Sequence, residues 1–291
     1  MVADVTTAPA HSGVYRSLLL LATALALCVV GLGAYVRLTD AGLGCPDWPG
    51  CYDHLLVPDH AVDAGRAWRE MIHRYAAGSL GLLILGQTVA AWRRPPHRDA
   101  WLATGLCALV GLQALMGMWT VTELLQPVIV TAHLLGGLLV WTTLVVLCRR
   151  EFGARGSGGW RRLGGFALAT ALVQVALGGW VASNYAGLAC ADSLICADGW
   201  WPQTTAAAIQ WAHRLGAAAV LMIAGSYAFV LMQKPAQRPV GLFIAIALIM
   251  QIALGIANVI LRLPLPLALA HNLGAALLLA SIAAALSGRR A

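Results

Sequence analysis

The chain has 291 residues, of which 60% are hydrophobic and 11% charged, with a formal net charge of +7 at pH 7. A soluble domain carries about 25% charged residues, so this composition and a mean hydropathy of +0.76 exclude an ordinary soluble globule and point to a chain embedded in lipid. The basic balance does not indicate nucleic acid, because Lys and Arg fall in short loops between apolar runs and form no basic stripe.

Apolar runs long enough to span, roughly 20 residues each, fall at 16–37, 67–92, 100–120, 127–149, 160–183, 204–232, 239–261 and 266–287. The first is of spanning length and no small-residue cleavage site follows it, so no cleavable signal peptide is expected. Nothing alternates with a period of two, which argues against a β-barrel. Arg16 precedes the first run; Arg93, Arg94 and Arg98 separate the second and third; Arg149, Arg150, Arg155, Arg161 and Arg162 separate the fourth and fifth. Lys234 and Arg238 separate the sixth and seventh, and Arg289 and Arg290 follow the eighth. The other connections hold Arg37, Arg66, Arg69 and Arg262 with most of the acids: Asp40, Asp47, Asp53, Asp59, Asp63, Glu123, Asp192 and Asp198. That asymmetry puts both termini of a cell-membrane protein in the cytoplasm and turns the two long loops, about 38–66 and 184–203, outward.

The chain repeats itself. Ala41-Gly42-Leu43-Gly44-Cys45 with Asp47 and Cys51 matches Ala186-Gly187-Leu188-Ala189-Cys190 with Asp192 and Cys196, at a constant offset of 145. His73-Arg74 matches His213-Arg214, Gln113 with Gly117 matches Gln251 with Gly255, and Ala132-His133-Leu134-Leu135-Gly136 matches Ala270-His271-Asn272-Leu273-Gly274. Four spans per half return the chain to its starting side, so the halves are parallel repeats; inverted repeats need an odd number. The expected fold is an all-α membrane protein of eight transmembrane helices, built as two parallel-repeat four-helix bundles over 1–150 and 151–291.

Of the eight histidines, His11, His54, His60 and His97 fall in the N-terminal tail or loops and read as solvated. His73, His133, His213 and His271 fall inside spans two, four, six and eight, where ionisable groups are costly and functional by default. Each lies about 8–12 Å from the outer end of its helix at 1.5 Å per residue. Two imidazoles at one depth on two helices of one bundle supply both axial ligands of a haem iron. Gly136, Gly216 and Gly274, each three residues after a histidine, with Ala76 in the fourth place, leave room for a flat macrocycle. An interhelical hydrogen bond is the plain alternative for a single such histidine. Zinc or copper lacks a full ligand set, since Cys28, Cys107 and Cys148 lie near mid-span or the cytoplasmic ends and read as small core residues.

One position breaks the symmetry. Glu70, three residues before His73, has Gln210 as its counterpart before His213. A carboxylate takes a proton or stabilises a cationic centre and an amide does neither, so the first half reads as the reaction site and the second as a permanent electron-transfer haem. The alternative is an interfacial carboxylate paired with Arg66, Arg69 or Arg74. Arg74 and Arg214 are candidate partners for haem propionates, with snorkelling to headgroups the plain reading. Cys45 with Cys51, and Cys190 with Cys196, face an oxidising compartment at disulfide spacing; they read as staples, the first pair alternatively as redox-active. Trp48, Trp200 and Trp201 suit the headgroup belt.

Val36-Arg37-Leu38-Thr39 running into Ala41-Gly42-Leu43, Asp47-Trp48-Pro49, Glu70-Met71-Ile72-His73-Arg74 and the intramembrane His133, His213 and His271 resemble the haem A synthase family, across about 16–287. The resemblance implies oxidation of the C8 methyl group of haem O to a formyl group, giving haem A for terminal oxidases. It implies haem b as cofactor on His213 and His271, haem O as substrate on His73 and His133, and Glu70 as the essential carboxylate. It further implies haem O synthase and terminal-oxidase assembly factors as partners, and it leaves self-association open. Two other readings fit part of the pattern. A non-enzymatic dihaem b-type cytochrome shares the four histidines but has no use for Glu70, and a proton or metal transporter shares the repeat.

Overall fold

The computed structural model describes residues 10–95, 97, 99–153, 160–191, 196 and 201–287, with side chains from Gly13 onward. Arg98, Arg155, Asp192, Asp198, Trp200, Arg289 and Arg290 lie outside those residues, as does the side chain of His11. Among the described residues eight long helices run in order: α1 (Ala10–Leu38), α2 (Ala64–Trp92), α3 (Ala100–Thr122), α4 (Pro127–Glu151), α5 (Arg161–Ser183), α6 (Thr205–Met232), α7 (Arg238–Ile260) and α8 (Leu265–Ser287). The shortest have 23 residues, about 35 Å at 1.5 Å each, against a hydrocarbon core of roughly 30 Å. All eight are long and apolar enough to cross a membrane, and a helix satisfies its own backbone there. The chain is therefore an all-α, multi-pass membrane protein.

Local chemistry fixes where the helices start. Asp63 caps α2, its carboxylate accepting from the Arg66 N–H at 2.9 Å, and Thr204 caps α6, accepting from the Ala207 N–H at 3.2 Å. Pro127 opens α4, where a missing N–H costs nothing. These starts set how deep each following histidine sits.

Each helix of the first four packs on its chain neighbours, and α1 also packs on α4, closing a ring; α5 to α8 close a second ring through α5 and α8. The rings meet where α4 contacts α5 and α8 and where α1 contacts α8. The buried core is built from Tyr15, Leu19, Ala22 and Ala26 of α1, Leu80 and Ile84 of α2, Leu144 and Leu147 of α4, Ala224 and Leu231 of α6, and Leu279 and Ile282 of α8, among others. On α2, α4, α6 and α8 every core residue follows the histidine in sequence, so the tight packing fills the side of the bundles away from the long loops. A second small core of Cys45, Cys51, Ala67 and Met71 lies under the first long loop. Large apolar side chains such as Leu82, Met222, Phe243 and Ile249 are exposed, as a lipid-facing surface requires.

Cys28 departs from expectation: it is exposed, while Cys107 and Cys148 are half-buried. The core stripe of α1 runs through positions 15, 19, 22 and 26. Position 28 is about 200° around the helix from 26 and turns away from that stripe.

The backbone duplicates itself at irregular points. Asp40 and Tyr185, 145 apart, both take left-handed φ, at 50° and 53°; so do Leu124 and Leu125 with Arg262 and Leu263. Gly42 packs against Leu125 and Gly187 against Leu263, with a Cβ placed there falling 3.1 and 3.0 Å from the leucine methyls. The ends of α1 and α5 also meet through equivalent residues. Arg37 Nη2 donates to the Ala182 carbonyl at 2.5 Å, and the Tyr185 hydroxyl donates to Asp40 at 3.0 Å.

Candidate functional site

His73, His133, His213 and His271 lie nine, six, eight and six residues past the first residue of α2, α4, α6 and α8. That is a depth of about 9–14 Å, close to the expected level. All four are half-buried. His73 and His133 lie within electrostatic reach of one another, as do His213 and His271.

Each ring rests on a glycine of the preceding helix. A Cβ on Gly33 would sit 3.0 Å from His73 Cε1, on Gly117 3.5 Å from His133 Cε1, on Gly178 3.2 Å from His213 Cε1 and on Gly255 3.1 Å from His271 Cε1. Sequence reasoning missed these four as ring seats. The signal was present, since Gly178 follows Gly33 by 145 and Gly255 follows Gly117 by 138.

The glycines three residues after the histidines do something other than expected. Gly136, Gly216 and Gly274 receive the side-chain amides of Gln113, Gln174 and Gln251, which a Cβ there would strike. A residue three positions past a histidine lies about 60° from it and faces the odd-numbered helix beside it, so this space is taken by glutamine rather than by a macrocycle. Gln174 Nε2 donates to the His213 carbonyl at 3.0 Å and lies 3.1 Å from His213 Nδ1. Gln251 Nε2 donates to the His271 carbonyl at 2.9 Å and lies 3.4 Å from His271 Nε2. Nδ1 of His73, His133 and His271 and Oε1 of Gln113, Gln174 and Gln251 are buried with no hydrogen-bond partner.

Glu70 is buried, at 4% exposure. Its Oε1 accepts from Arg74 Nη2 at 2.5 Å and its Oε2 from the Cys45 N–H at 3.0 Å. Of the arginines weighed as its partner, Arg74 is the one that pairs with it; Arg66 turns to Asp63 and Arg69 donates to the Gly65 carbonyl. Arg74 Nη1 also donates to the carbonyls of Asp47, Pro49 and Gly50, at 2.9, 3.3 and 2.5 Å. In the second half Gln210 Nε2 donates to the Gly187 carbonyl at 3.2 Å and Arg214 Nη2 to the Cys190 carbonyl at 2.9 Å. Arg74 and Arg214, weighed as propionate partners or as snorkelling to headgroups, both donate to carbonyls of the long loops.

Both expected disulfides are formed, Cys45–Cys51 and Cys190–Cys196. The first loop is pinned to α2. At Gly44 a Cβ would come within 2.5 Å of the Arg66 backbone, so only glycine allows the approach. The Asp47 carboxylate accepts from the Tyr52 and Asp53 N–H groups, each at 2.7 Å, bridging two left-handed residues. The Tyr75 hydroxyl donates to the Leu55 carbonyl. Burial works to raise the Asp47 carboxyl, but those two N–H groups and nearby Arg74 outweigh it and hold it below the ordinary aspartate value. Trp48 and Trp201 are exposed in the long loops.

Two imidazoles per ring of helices, all seated on glycine and three of the four carrying a ring nitrogen without a partner, fit the axial donor set of a haem iron. Among the described residues no three His, Cys, Asp or Glu side chains converge as a closed metal site would need.

The chain resembles known proteins over most of its length. The model of a family described as COX15-CtaA, cytochrome oxidase assembly protein, matches residues 16–283. A haem A synthase of Shewanella oneidensis is 38% identical over 303 residues, covering 88% of this chain and 91% of its own. One from Bacillus licheniformis is 30% identical over 260 residues, covering 82% and 84%. One from Rhizorhabdus wittichii is 29% identical over 317 residues, covering 91% and 90%.

Proposed function

The chain belongs to the COX15-CtaA family of cytochrome oxidase assembly proteins, and from that premise we propose how its two halves divide the work of a haem A synthase. The protein is a membrane oxidoreductase of haem A biosynthesis: it oxidises the C8 methyl group of haem O to a formyl group, giving haem A for terminal oxidases. Residues 1–150 form the substrate bundle and 151–291 the cofactor bundle. The two are parallel four-helix repeats about an axis along the membrane normal. The contacts Arg37 to Ala182 and Asp40 to Tyr185 support this, since residues that touch their own repeat equivalents lie beside a two-fold axis. Both termini are cytoplasmic and the histidine level is near the outer face, as the loop charges imply.

His213 and His271 hold haem b, which when bound supplies one-electron transfer. His73 and His133 hold the substrate haem O. The net change is R–CH3 + H2O → R–CHO + 4 H+ + 4 e−, through an alcohol and then a hydrated aldehyde that loses water, with the electrons leaving one at a time to an external one-electron acceptor. Glu70 is the group that takes a proton or stabilises positive charge beside the substrate ring. Its tie to Cys45 N–H and Arg74 fixes one carboxylate at one place under the outer loop. The observation that carries this division is that Glu70 stands where the second half has Gln210 within otherwise matching surroundings. A membrane-embedded site also suits haem O, whose isoprenoid tail favours entry from the bilayer. Haem O synthase and terminal-oxidase assembly factors are the partners this role implies.

The test is expression in a host that makes haem O, followed by chromatography of the extracted pigments. Haem b together with haem A or its alcohol precursor is the expected result. Haem b alone, in a host with haem O available, would identify an electron carrier instead.

A further inference from the structure

The first long loop does not stand clear of the bundle. Arg74 Nη1 reaches the carbonyls of Asp47, Pro49 and Gly50, and the Tyr75 hydroxyl reaches that of Leu55. Long side chains on a helix lean toward its first residue, so Tyr75 meets the loop near the level of His73. That level is the edge of the hydrocarbon. α2 has 29 residues, about 44 Å at 1.5 Å each, against a hydrocarbon core of roughly 30 Å. Its far end is Trp92, followed by Arg93 and Arg94, side chains that belong at a headgroup interface. A span of about 20 residues counted back from Trp92 ends at Ile72, and any tilt of the helix carries the edge further out. The first turns of α2 therefore rise above the hydrocarbon, and the loop folds back down beside them.

Two further features separate this loop from one bathed in water. Its backbone is largely satisfied from within. The Cys51 N–H donates to the His54 carbonyl at 2.8 Å, the His54 N–H donates to the Cys51 carbonyl at 3.1 Å, and the Asp47 carboxylate takes the N–H groups of Tyr52 and Asp53. With the carbonyls held by Arg74 and Tyr75, little is left for water to bond, as a segment beside hydrocarbon requires. Its apolar side chains are nonetheless uncovered: Leu55 is 82% exposed and Leu56 63%, and Trp48 is exposed as well. Tyr75 joins them to the exposed apolar face of α2 at Ile72 and Leu82, which is the lipid-facing surface of the span.

We propose that the turn 47–56 is seated in the membrane leaflet on the side of the long loops, with Leu55 and Leu56 among the upper acyl carbons and Trp48 among the headgroups. The partner of this surface is phospholipid. The proposal goes beyond the haem reading and does not rest on it. Cys45, whose N–H holds Glu70, is bonded to Cys51 in the middle of the same turn, so contact with lipid steadies the loop that holds Glu70.

Quenching of a fluorescent label tests this. The label is attached at Leu55→Cys, Leu56→Cys or Val62→Cys in the full chain carrying Cys28→Ala, Cys107→Ala and Cys148→Ala, and each protein is placed in phosphatidylcholine vesicles. Val62 is the reference: it is 91% exposed and stands just before α2, above the hydrocarbon edge. A nitroxide high on the lipid acyl chain is expected to quench the labels at 55 and 56 and to spare that at 62, while iodide on both sides of the membrane does the reverse. Iodide quenching at 55 and 56 equal to that at 62 overturns the proposal. Shielding of 55 and 56 from both quenchers also overturns it and points to a second copy of the chain on this surface. The parent chain gives a reading free of substitutions. Phosphatidylcholine with a photoreactive diazirine on its acyl chain, followed by peptide mass spectrometry, is expected to mark 55–56 and to spare Val62. Lipid adducts at Leu82 with none at 55–56 overturn the proposal in a protein whose membrane span is correctly inserted.

Discussion

Over His73 the outer loop presents an amide N–H to the side chain one turn before the histidine; over His213 it presents a carbonyl oxygen. Glu70 accepts from the Cys45 N–H and Gln210 donates to the Gly187 carbonyl. The arginine after each histidine holds its loop in both halves, yet Arg74 also pairs with Glu70. A carboxylate can only accept and an amide can do both. One exchange of residue type has thus inverted the hydrogen-bond polarity over one of two matching sites and left a charge there. The two halves match in where these groups stand and differ in this one residue type.

Swapping the two residues puts that reading under the greatest strain. Glu70→Gln is expected to cut conversion of haem O to haem A by about 100-fold or more, the usual range for losing a general acid or base, with both haems still bound. Gln210→Glu is expected to leave conversion within a fewfold of the parent. Chromatography of pigments extracted from cells expressing each variant gives both numbers. Undiminished conversion by Glu70→Gln would end the assignment of the first half as the reaction site.

The arginines give the next largest difference. Arg74→Leu leaves a buried carboxylate without its cation, at a cost of about 3–5 kcal/mol. Arg214→Leu gives up its charged hydrogen bond to the Cys190 carbonyl, worth about 1.5–3 kcal/mol. Thermal unfolding in detergent, followed by helix content, should show a lower midpoint for Arg74→Leu than for Arg214→Leu. The double variant Arg74→Leu, Glu70→Gln should regain much of the loss, because the stranded charge is gone.

The disulfides sharpen the comparison more gently. Each closes a short loop, worth about 2 kcal/mol by chain entropy, so serine pairs at either site should destabilise similarly. Their effect on conversion should differ. Cys45 supplies the N–H that holds Glu70, and a small misplacement of a reacting group is costly. The Cys45→Ser, Cys51→Ser protein is expected to lose on the order of tenfold in conversion, and the Cys190→Ser, Cys196→Ser protein little. Equal losses would mean that the first loop does not position Glu70.

Much of this was legible before any coordinates, for identifiable reasons. Lipid forces long uninterrupted apolar runs, so eight spans could be counted, and the cost of an imidazole in hydrocarbon singled out four of eight histidines. The constant offset of 145 tied the cysteine pairs together, and both bonds are formed. What escaped were features that depend on which neighbouring helix a residue faces. Gly136, Gly216 and Gly274 were assigned to a macrocycle but take up glutamine amides, and the rings rest on Gly33, Gly117, Gly178 and Gly255. A one-dimensional pattern gives the angle around one helix, not the rotation of the helix beside it. Nor does the pattern show the fold-back of the loop that brings the Asp47, Pro49 and Gly50 carbonyls to Arg74.

The smallest expected difference lies in how the two loops respond to acid. Asp47 accepts the N–H groups of Tyr52 and Asp53 and titrates below the ordinary aspartate value when folded. A carboxyl whose folded pKa is depressed lends its full stability above the unfolded value, about 3.9, and loses it as pH falls through the lower folded value. Between those two values the first loop should therefore loosen. The contact of Gln210 with the Gly187 carbonyl has no titrating member and should hold across the same window. Hydrogen exchange at the Tyr52 and Asp53 amides, corrected for intrinsic pH dependence, should rise about twofold to fivefold, because solvent-screened contacts of this kind are worth under about 1 kcal/mol. Asp47→Asn should start from the looser level and stay flat with pH. If the parent protein's corrected exchange were equally flat, the first loop would owe its shape to the disulfide, Gly44 and Arg74 alone, and the acid-sensitive half of the comparison would vanish.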